Sequence, residues 1–340
     1  MSATPRAKIL IVRLSAMGDI ILTTPAVRAL RRAQPEAELH YLTKSRFAES
    51  IRHNPHLDRV IEWEGKDFNS LVTQLKAESY THVVDLHKNL RSNWLRFRLG
   101  VPATTFHKAN TLKNRMVWFK DPKLAVSHIV ERYMQAVAPW GAVPDEEGLE
   151  FPLLPEVQHA VEQNHLDWNL GAGYVALVLS ATWFTKRWPE EHVRQFVQNS
   201  PLPVVLLGGP AESEIARRIV MDLPPGQVHN LAGKTSLQHS AAWLERAEWV
   251  LTGDTGLMHI AAALHKPTVV LWGNTTPRFG MSPYRTEHLN LEIEGLGCRP
   301  CSRIGYQKCP KGHFKCMRLL APEQVQRQAD QFRAQLNRDS

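Results

Sequence analysis

The strongest constraint on this chain is a pattern that occurs twice: short β-branched apolar runs alternate with stretches of helical character. Lys8 to Leu14 (KILIVRL) reads as a strand buried on both faces, and a loop with Gly18 and Asp19 follows it. Thr24-Pro25 then opens a helix, Thr as N-cap and Pro at the first helical position, that carries Val27, Leu30 and the basic pair Arg31-Arg32. Glu38 to Leu42 (ELHYL) and His82 to Leu86 (HVVDL) are further strands. A stretch over 139–157, rich in Pro, Gly and acidic residues, reads as a linker, and the alternation then restarts. The second series holds Tyr174 to Leu179 (YVALVL), Pro203 to Leu207 (PVVLL), Trp249 to Leu251 and Thr268 to Trp272 (TVVLW), with Ser236 capping a helix that ends near Arg246. Strands alternating with helices build a parallel α/β sheet. The expectation is two Rossmann-like domains, 1–155 and 156–321, followed by a polar amphipathic helix within 322–340.

Length and composition agree with this division. A chain of 340 residues exceeds what one core usually organises, and 43% apolar with 22% charged residues is globular composition. No run approaches the ~18 apolar residues a membrane span requires. The segment from Met1 to Ile11 lacks the long apolar core of a secretory signal, so the expected location is cytoplasmic, or peripheral on the inner face of the cytoplasmic membrane. The net charge of +8 is uneven: residues 1–132 hold 22 Lys and Arg against 12 Asp and Glu. That asymmetry fits an anionic partner as well as a merely solvated surface.

Ligands of open parallel sheets bind beyond the carboxyl ends of the strands, and three loops there could carry chemistry. In the first, Arg13 to Asp19, Gly18 permits a tight backbone and Asp19 could accept a proton from a hydroxyl; a helix-capping Asp is the competing reading. No G-x-G-x-x-G follows this strand, so it is not a dinucleotide fingerprint. The second loop holds Ser180, Thr182, Thr185, Lys186 and Arg187, hydroxyls and cations suited to a diphosphate, although a solvated loop competes. In the third, Asp254 ends a strand and Thr255-Gly256 begins a helix whose free N–H groups suit an anion. His259 lies one turn inside that helix, where a structural role competes with a site role.

Taken in order, these loops resemble glycosyltransferase family 9, the ADP-heptose:lipopolysaccharide heptosyltransferases. The matching stretches are RLSAMGDIILTTPAVRALR (13–31), DLHKNLRSN (85–93), TKRWPEEH (185–192), LLGGPAESEIA (206–216), NLAGKTSLQ (230–238) and TGDTGLMHIAAALHKPTVVLWGNTTP (252–277). The resemblance implies a GT-B fold, two Rossmann-like domains facing each other across a cleft, with donor on the second domain and acceptor on the first. It implies inversion at the anomeric carbon with Asp19 as general base, Thr185 and Lys186 on the donor diphosphate, and Asp254 on the sugar. Thr255, Gly256 and His259 complete that loop, and the C-terminal helix is expected to cross back onto the first domain. The donor would be ADP-heptose and the acceptor an anionic glycolipid of the Kdo-lipid A type, with Gly18, Arg91, Arg96, Arg98, Lys113 and Arg115 as acceptor contacts. No D-x-D motif occurs in the chain, so catalysis without a metal or other cofactor is expected. The alternative is an enzyme of the same fold with another nucleotide-sugar donor or acceptor. A basic nucleic-acid-binding protein with a zinc knuckle would explain the charge and the cysteines but not the three loops, and has no RNP or helix-turn-helix signature behind it.

All four cysteines cluster as Cys298, Cys301, Cys309 and Cys316, spaced C-x2-C-x7-C-x6-C around His313. A structural zinc, local disulfides and independent thiols all stay open. Similar segments occur in some members of the family, especially those resembling the enzyme that adds the second heptose.

Overall fold

In this computed structural model, residues 6–171 and 173–339 are described, and the chain divides into two compact units. The first comprises Met1–Ala109 and Ser127–Pro152, the second Asn110–Val126 and Leu153–Ser340. The first unit holds β1 (Lys8–Val12), α1 (Met17–Ile21), α2 (Thr24–Ala33), β2 (Glu38–Lys44), β3 (Arg59–Trp63), α3 (Phe68–Ala77), β4 (His82–Asp85), α4 (Leu90–Leu99) and β5 (Ala103–Thr105). After α5 (Asn110–Phe119), which belongs to the second unit, α6 (Ile129–Val137) returns to the first. The second unit continues with α7 (Pro155–Asp167), β6 (Val175–Val178), α8 (Glu190–Asn199), β7 (Val204–Leu207), α9 (Ser213–Val220), β8 (Val228–Asn230) and α10 (Leu237–Arg246). It ends with β9 (Trp249–Gly253), α11 (Gly256–Ala263), β10 (Thr268–Trp272), β11 (His288–Glu292), α12 (Lys315–Arg318) and α13 (Pro322–Asp339).

Both sheets are parallel throughout. The first runs β3-β2-β1-β4-β5, with Ile9 in register with Leu39 on one side and His82 on the other. The second runs β8-β7-β6-β9-β10-β11, the doubly wound order in which the chain reverses direction between its first and fourth strands. In the first unit the same reversal lies between β1 and β4. Central strands read as continuous apolar runs because helices cover both faces: Ile9 through Val12 and Val175 through Val178 are all buried.

Three boundaries differ from the sequence-based expectation. Residues 110–126 cluster with the second unit, not the first. The C-terminal helix α13 places Val325, Ala329 and Phe332 in the second unit's own core, beside Phe196 and Trp249. At the start of α2, Thr24 is inside the helix, and its hydroxyl donates to the Ile21 carbonyl instead of capping.

The acidic stretch read as a linker is anchored to the first unit. Arg28, fully buried on α2, donates through Nε and Nη2 to the Asp145 carboxylate at 2.7 and 2.6 Å. It also meets Glu150 at 2.8 Å and the Gly148 carbonyl at 2.9 Å. The hydrogen bond from Arg28 holds Asp145 below the usual carboxylate range. Burial opposes ionisation of Glu150, but His56 and Arg28 together hold it below that range too. Removing the buried cation leaves Asp145 with only the exposed Arg32 and Glu150 with only His56, so Arg28→Ala is expected to destabilise the first unit by on the order of 3 kcal/mol. Because both folded-state carboxylate pKa values are lowered, this contribution is complete above the ordinary carboxylate range and fades as pH falls through the lowered values. Urea unfolding midpoints of parent and variant should therefore differ most near neutral pH and converge in acid.

Candidate active site

The loops singled out by sequence lie at the reversal points of the two sheets. In the first unit, β1 delivers Arg13 and α1 delivers Asp19. Arg13 is 7% exposed and its guanidinium is fully directed: Nε donates to the Ser15 carbonyl at 2.8 Å, Nη1 to the Leu86 carbonyl at 2.7 Å, and Nη2 meets Asp19 Oδ2 at 2.8 Å. Burial alone disfavours the arginine charge, but the Asp19 carboxylate beside it leaves the guanidinium more firmly protonated than usual. The pairing fixes the carboxylate's direction while its side chain stays about a third exposed (31%). Gly18, the second residue of α1, donates no side chain to this corner.

The adjoining loop after β4 is organised by Asp85, fully buried, which accepts the His87 and Lys88 N–H groups at 2.9 and 2.8 Å and the Ser92 hydroxyl at 2.9 Å. His87 is held neutral, pushed down to about 3 by burial and then by the charges of Arg13 and Lys108. Burial and the nearby Arg13 also lower Lys108. The corner around Asp19 is thus cationic, and Arg13, His87 and Lys108 were not named as site residues by sequence. Their only sequence signal is position, one to three residues beyond a strand end, and they meet through the fold.

The expected acceptor cations separate. Arg96 sits 3.7 Å from buried Asp85, Arg91 lies over the Trp63 ring at 5.6 Å, and Arg98 bonds Asn69 at 3.2 Å. These three are on α4 in the first unit, whereas Lys113, over the Phe279 ring, and exposed Arg115 are on α5 in the second.

In the second unit, the segment after β6 packs directly onto the ends of β9 and β10. A Cβ at Gly273 would lie 2.4 Å from the Thr185 carbonyl, and one at Gly253 2.8 Å from the Lys186 carbonyl, so only glycine allows the approach. Lys186 Nζ then reaches Asp254 Oδ2 at 2.6 Å, and Thr275 donates to the same oxygen at 2.9 Å. Lys186 and Asp254 each keep 14% of their side chain exposed. Beside them the first turn of α11 starts at Gly256 after Thr255, whose side chain makes no capping bond. A cavity of about 30 Å³ adjoins the pair, lined by Ser180, Lys186, Arg187 and Thr252 among others.

The other residues expected to hold a donor are arranged differently. Thr185 is 1% exposed, and its hydroxyl is engaged with Asn274 Oδ1 at 3.0 Å and with the Tyr306 backbone, whose N–H it accepts at 2.9 Å. Arg187 braces the loop from within, donating twice to the Ala181 carbonyl and lying 3.4 Å from Glu212. Thr182 is exposed, Ser180 half-buried, and His259 buried (3%) on the inner side of α11.

The four cysteines are free thiols. Cys298 Sγ lies 3.9 Å from His313 Nε2. Among the described residues, no group of three or more His, Cys, Asp and Glu side chains is arranged to hold a metal ion. Burial pushes the Cys301 thiol up to about 11 and Cys316 up to about 12, so both are protonated at neutral pH. Between Cys298 and Cys301, Arg299 is 8% exposed and donates to the carbonyls of Gly273 at 2.5 Å, Thr275 at 2.7 Å and Ile293 at 2.8 Å, with Glu292 at 2.7 Å. The cysteine segment is therefore stapled to the loop that holds Asp254 and Thr185.

Comparison with known proteins adds to this geometry. Residues 68–310 match the family model of glycosyltransferase family 9 (heptosyltransferase). The chain is 29% identical over 210 residues to lipopolysaccharide heptosyltransferase 1 of Pseudomonas aeruginosa, covering 56% of this chain and 57% of that protein, a little more than half its length. It is also 29% identical over 271 residues to lipopolysaccharide heptosyltransferase 1 of Escherichia coli K12, covering 72% of this chain and 81% of that one. Among solved structures, an E. coli heptosyltransferase with ADP superposes with a TM-score of 0.66 at 23% identity, over 96% of this chain and 99% of that one.

Proposed function

Because the chain belongs to glycosyltransferase family 9, the heptosyltransferases, we propose that it transfers heptose from ADP-heptose to the inner core of lipopolysaccharide, with inversion and without a metal. The observation that carries this reading is the cluster at the reversal point of the second sheet: one cation, Lys186, 2.6 Å from one carboxylate, Asp254, with α11 starting two residues further along the chain. A nucleoside diphosphate needs positive charge and N–H donors as its bond to the sugar breaks, and Lys186 with the α11 N-terminus supplies both. Asp254 would then turn from Lys186 to the sugar hydroxyls. In the other unit, Asp19 takes the proton of the acceptor hydroxyl. The new C–O bond forms at the anomeric carbon as the old one breaks, and its electron pair leaves with ADP. The cations Arg13 and Lys108 near Asp19, with Arg91 and Arg98 on α4 of the same unit, suit an acceptor bearing carboxylates and phosphates, as a Kdo-lipid A type glycolipid does. On this reading the protein works in the cytoplasm, at the inner face of the membrane that holds the acceptor.

The test is thermal stability against a panel of nucleotide diphosphates and nucleotide sugars, with and without EDTA. ADP and ADP-heptose are expected to raise the melting temperature by the same amount in both conditions, since a ligand that binds only the folded state adds RT ln(1 + [L]/Kd) of stability. A shift with UDP or GDP compounds and none with ADP compounds would keep the transfer chemistry and discard the heptose. A shift abolished by EDTA would discard metal independence.

A further inference from the structure

Residues 86–120 contain eight Lys and Arg and no Asp or Glu. The same stretch holds Leu90, Trp94, Phe97, Trp118 and Phe119, five of the twelve exposed large apolar side chains among the described residues. Three of the five form a stripe on α4. Leu90 (89% exposed), Trp94 (50%) and Phe97 (73%) recur at i, i+4 and i+7, and the rings of Trp94 and Phe97 stack with centroids 5.3 Å apart. On the opposite side of the helix, Ser92 and Leu95 are buried, Leu95 within the first unit's core. α4 therefore carries two apolar stripes, one satisfied by the core and one outward. Arg91 and Arg98, seven residues apart, flank the outward stripe on one side, and Arg98 lies 6.0 Å from the Trp94 ring centroid.

We propose that the outward face of α4 is a membrane-docking surface, in which Leu90, Trp94 and Phe97 enter the interface of an anionic bilayer while Arg91 and Arg98 meet its headgroups. Charge decides the occupant: a segment that carries cations and no carboxylate of its own fits a layer of phosphates, and aromatic rings beside arginines are what an interfacial helix presents to one. The proposal rests on the reading that the acceptor is a membrane glycolipid, since docking would hold the first unit where that acceptor resides.

The full-length protein is tested by co-sedimentation with vesicles of phosphatidylglycerol and phosphatidylethanolamine, with phosphatidylcholine vesicles as the neutral control. The parent should pellet with the anionic vesicles only, and less so at high salt. Combining Leu90→Ser, Trp94→Ser and Phe97→Ser should lower the bound fraction by on the order of tenfold. Phe97→Glu alone, at an exposed position, should act in the same direction. An unchanged melting temperature certifies that each variant is folded, and transfer to a water-soluble, deacylated acceptor should stay at the parental rate. A parent that does not pellet, or a triple variant that pellets as well as the parent, overturns the proposal. So does a parent that is a dimer in solution, fails to bind vesicles and becomes monomeric in the triple variant, because the face then joins copies of the chain. Absence of transfer from both proteins, with vesicle binding intact, would count against the proposed reaction and leave the docking surface standing.

Discussion

Asp19→Asn is expected to lower kcat by roughly two to four decades, the range a positioned proton acceptor contributes. Asparagine keeps the shape and can still face Arg13 Nη2, which lies 2.8 Å from the native carboxylate, but it cannot take a proton. The effect should appear in kcat because the substitution removes an interaction needed only as the acceptor hydroxyl becomes acidic. Affinity for ADP should be unchanged, since the donor cluster is built in the other unit. Arg13 explains why the carboxylate has one direction: buried and hydrogen-bonded to two carbonyls, its guanidinium holds Asp19 in place. Steady-state kinetics with donor and acceptor varied in turn give the answer. Parental turnover in the Asn variant with lost donor affinity would move Asp19 from catalysis to binding.

Lys186→Ala should cost donor kcat/KM on the order of a hundredfold to a thousandfold, as expected when one donor to a leaving-group charge is removed. Lys186→Arg should restore little, because the ammonium reaches a single oxygen of Asp254 at 2.6 Å in a tight corner that a planar fork does not fit. The pairing makes a second comparison informative. In the unliganded protein the diphosphate must compete with Asp254 for Lys186, so Asp254→Asn should leave ADP binding equal or tighter while raising KM for the nucleotide sugar. Inhibition by ADP, measured beside donor KM in both variants, separates the roles. If both substitutions weaken ADP equally, Asp254 binds no sugar and serves only to orient the lysine.

The strands that the sequence made visible are all interior ones. β1, β2, β4, β6, β7, β9 and β10 are apolar because helices cover them on both sides, and a continuous apolar run is easily seen. The sheet edges β3, β5, β8 and β11 are short or half-exposed, with polar residues such as Arg59, Glu62, His229 and Asn290 among them, and they lack that signature. The site follows the same rule only in part. Asp254 stands one residue after β9, while Asp19 and Lys186 lie seven and eight residues beyond β1 and β6, where the residues alone leave a competing reading for each and the family resemblance supplies the roles. Asn274, Arg299 and Tyr306 act on the donor loop across 24 to 121 residues of sequence, and no local pattern reports such contacts. Thr185 shows the reverse: a hydroxyl beside a lysine reads as a ligand group, yet its burial turns it inward to Asn274 and Tyr306. The acidic stretch near 145 reads as a linker by composition, and only Arg28, far upstream, reveals it as an anchor.

The Arg299 staple changes how an activity-based mutational scan of this protein would have to be interpreted. Its four carbonyl and carboxylate partners include Gly273 and Thr275, and Thr275 in turn holds the carboxylate that holds Lys186. A substitution at Arg299, or a modification of the neighbouring thiols that moves it, would therefore score as a loss of nucleotide-sugar affinity. Ranked by such scores, the cysteine segment would enter a map of ligand contacts although its influence is carried by three intervening hydrogen bonds. Inhibitor design guided by that map would aim at a hinge pin and miss the lock.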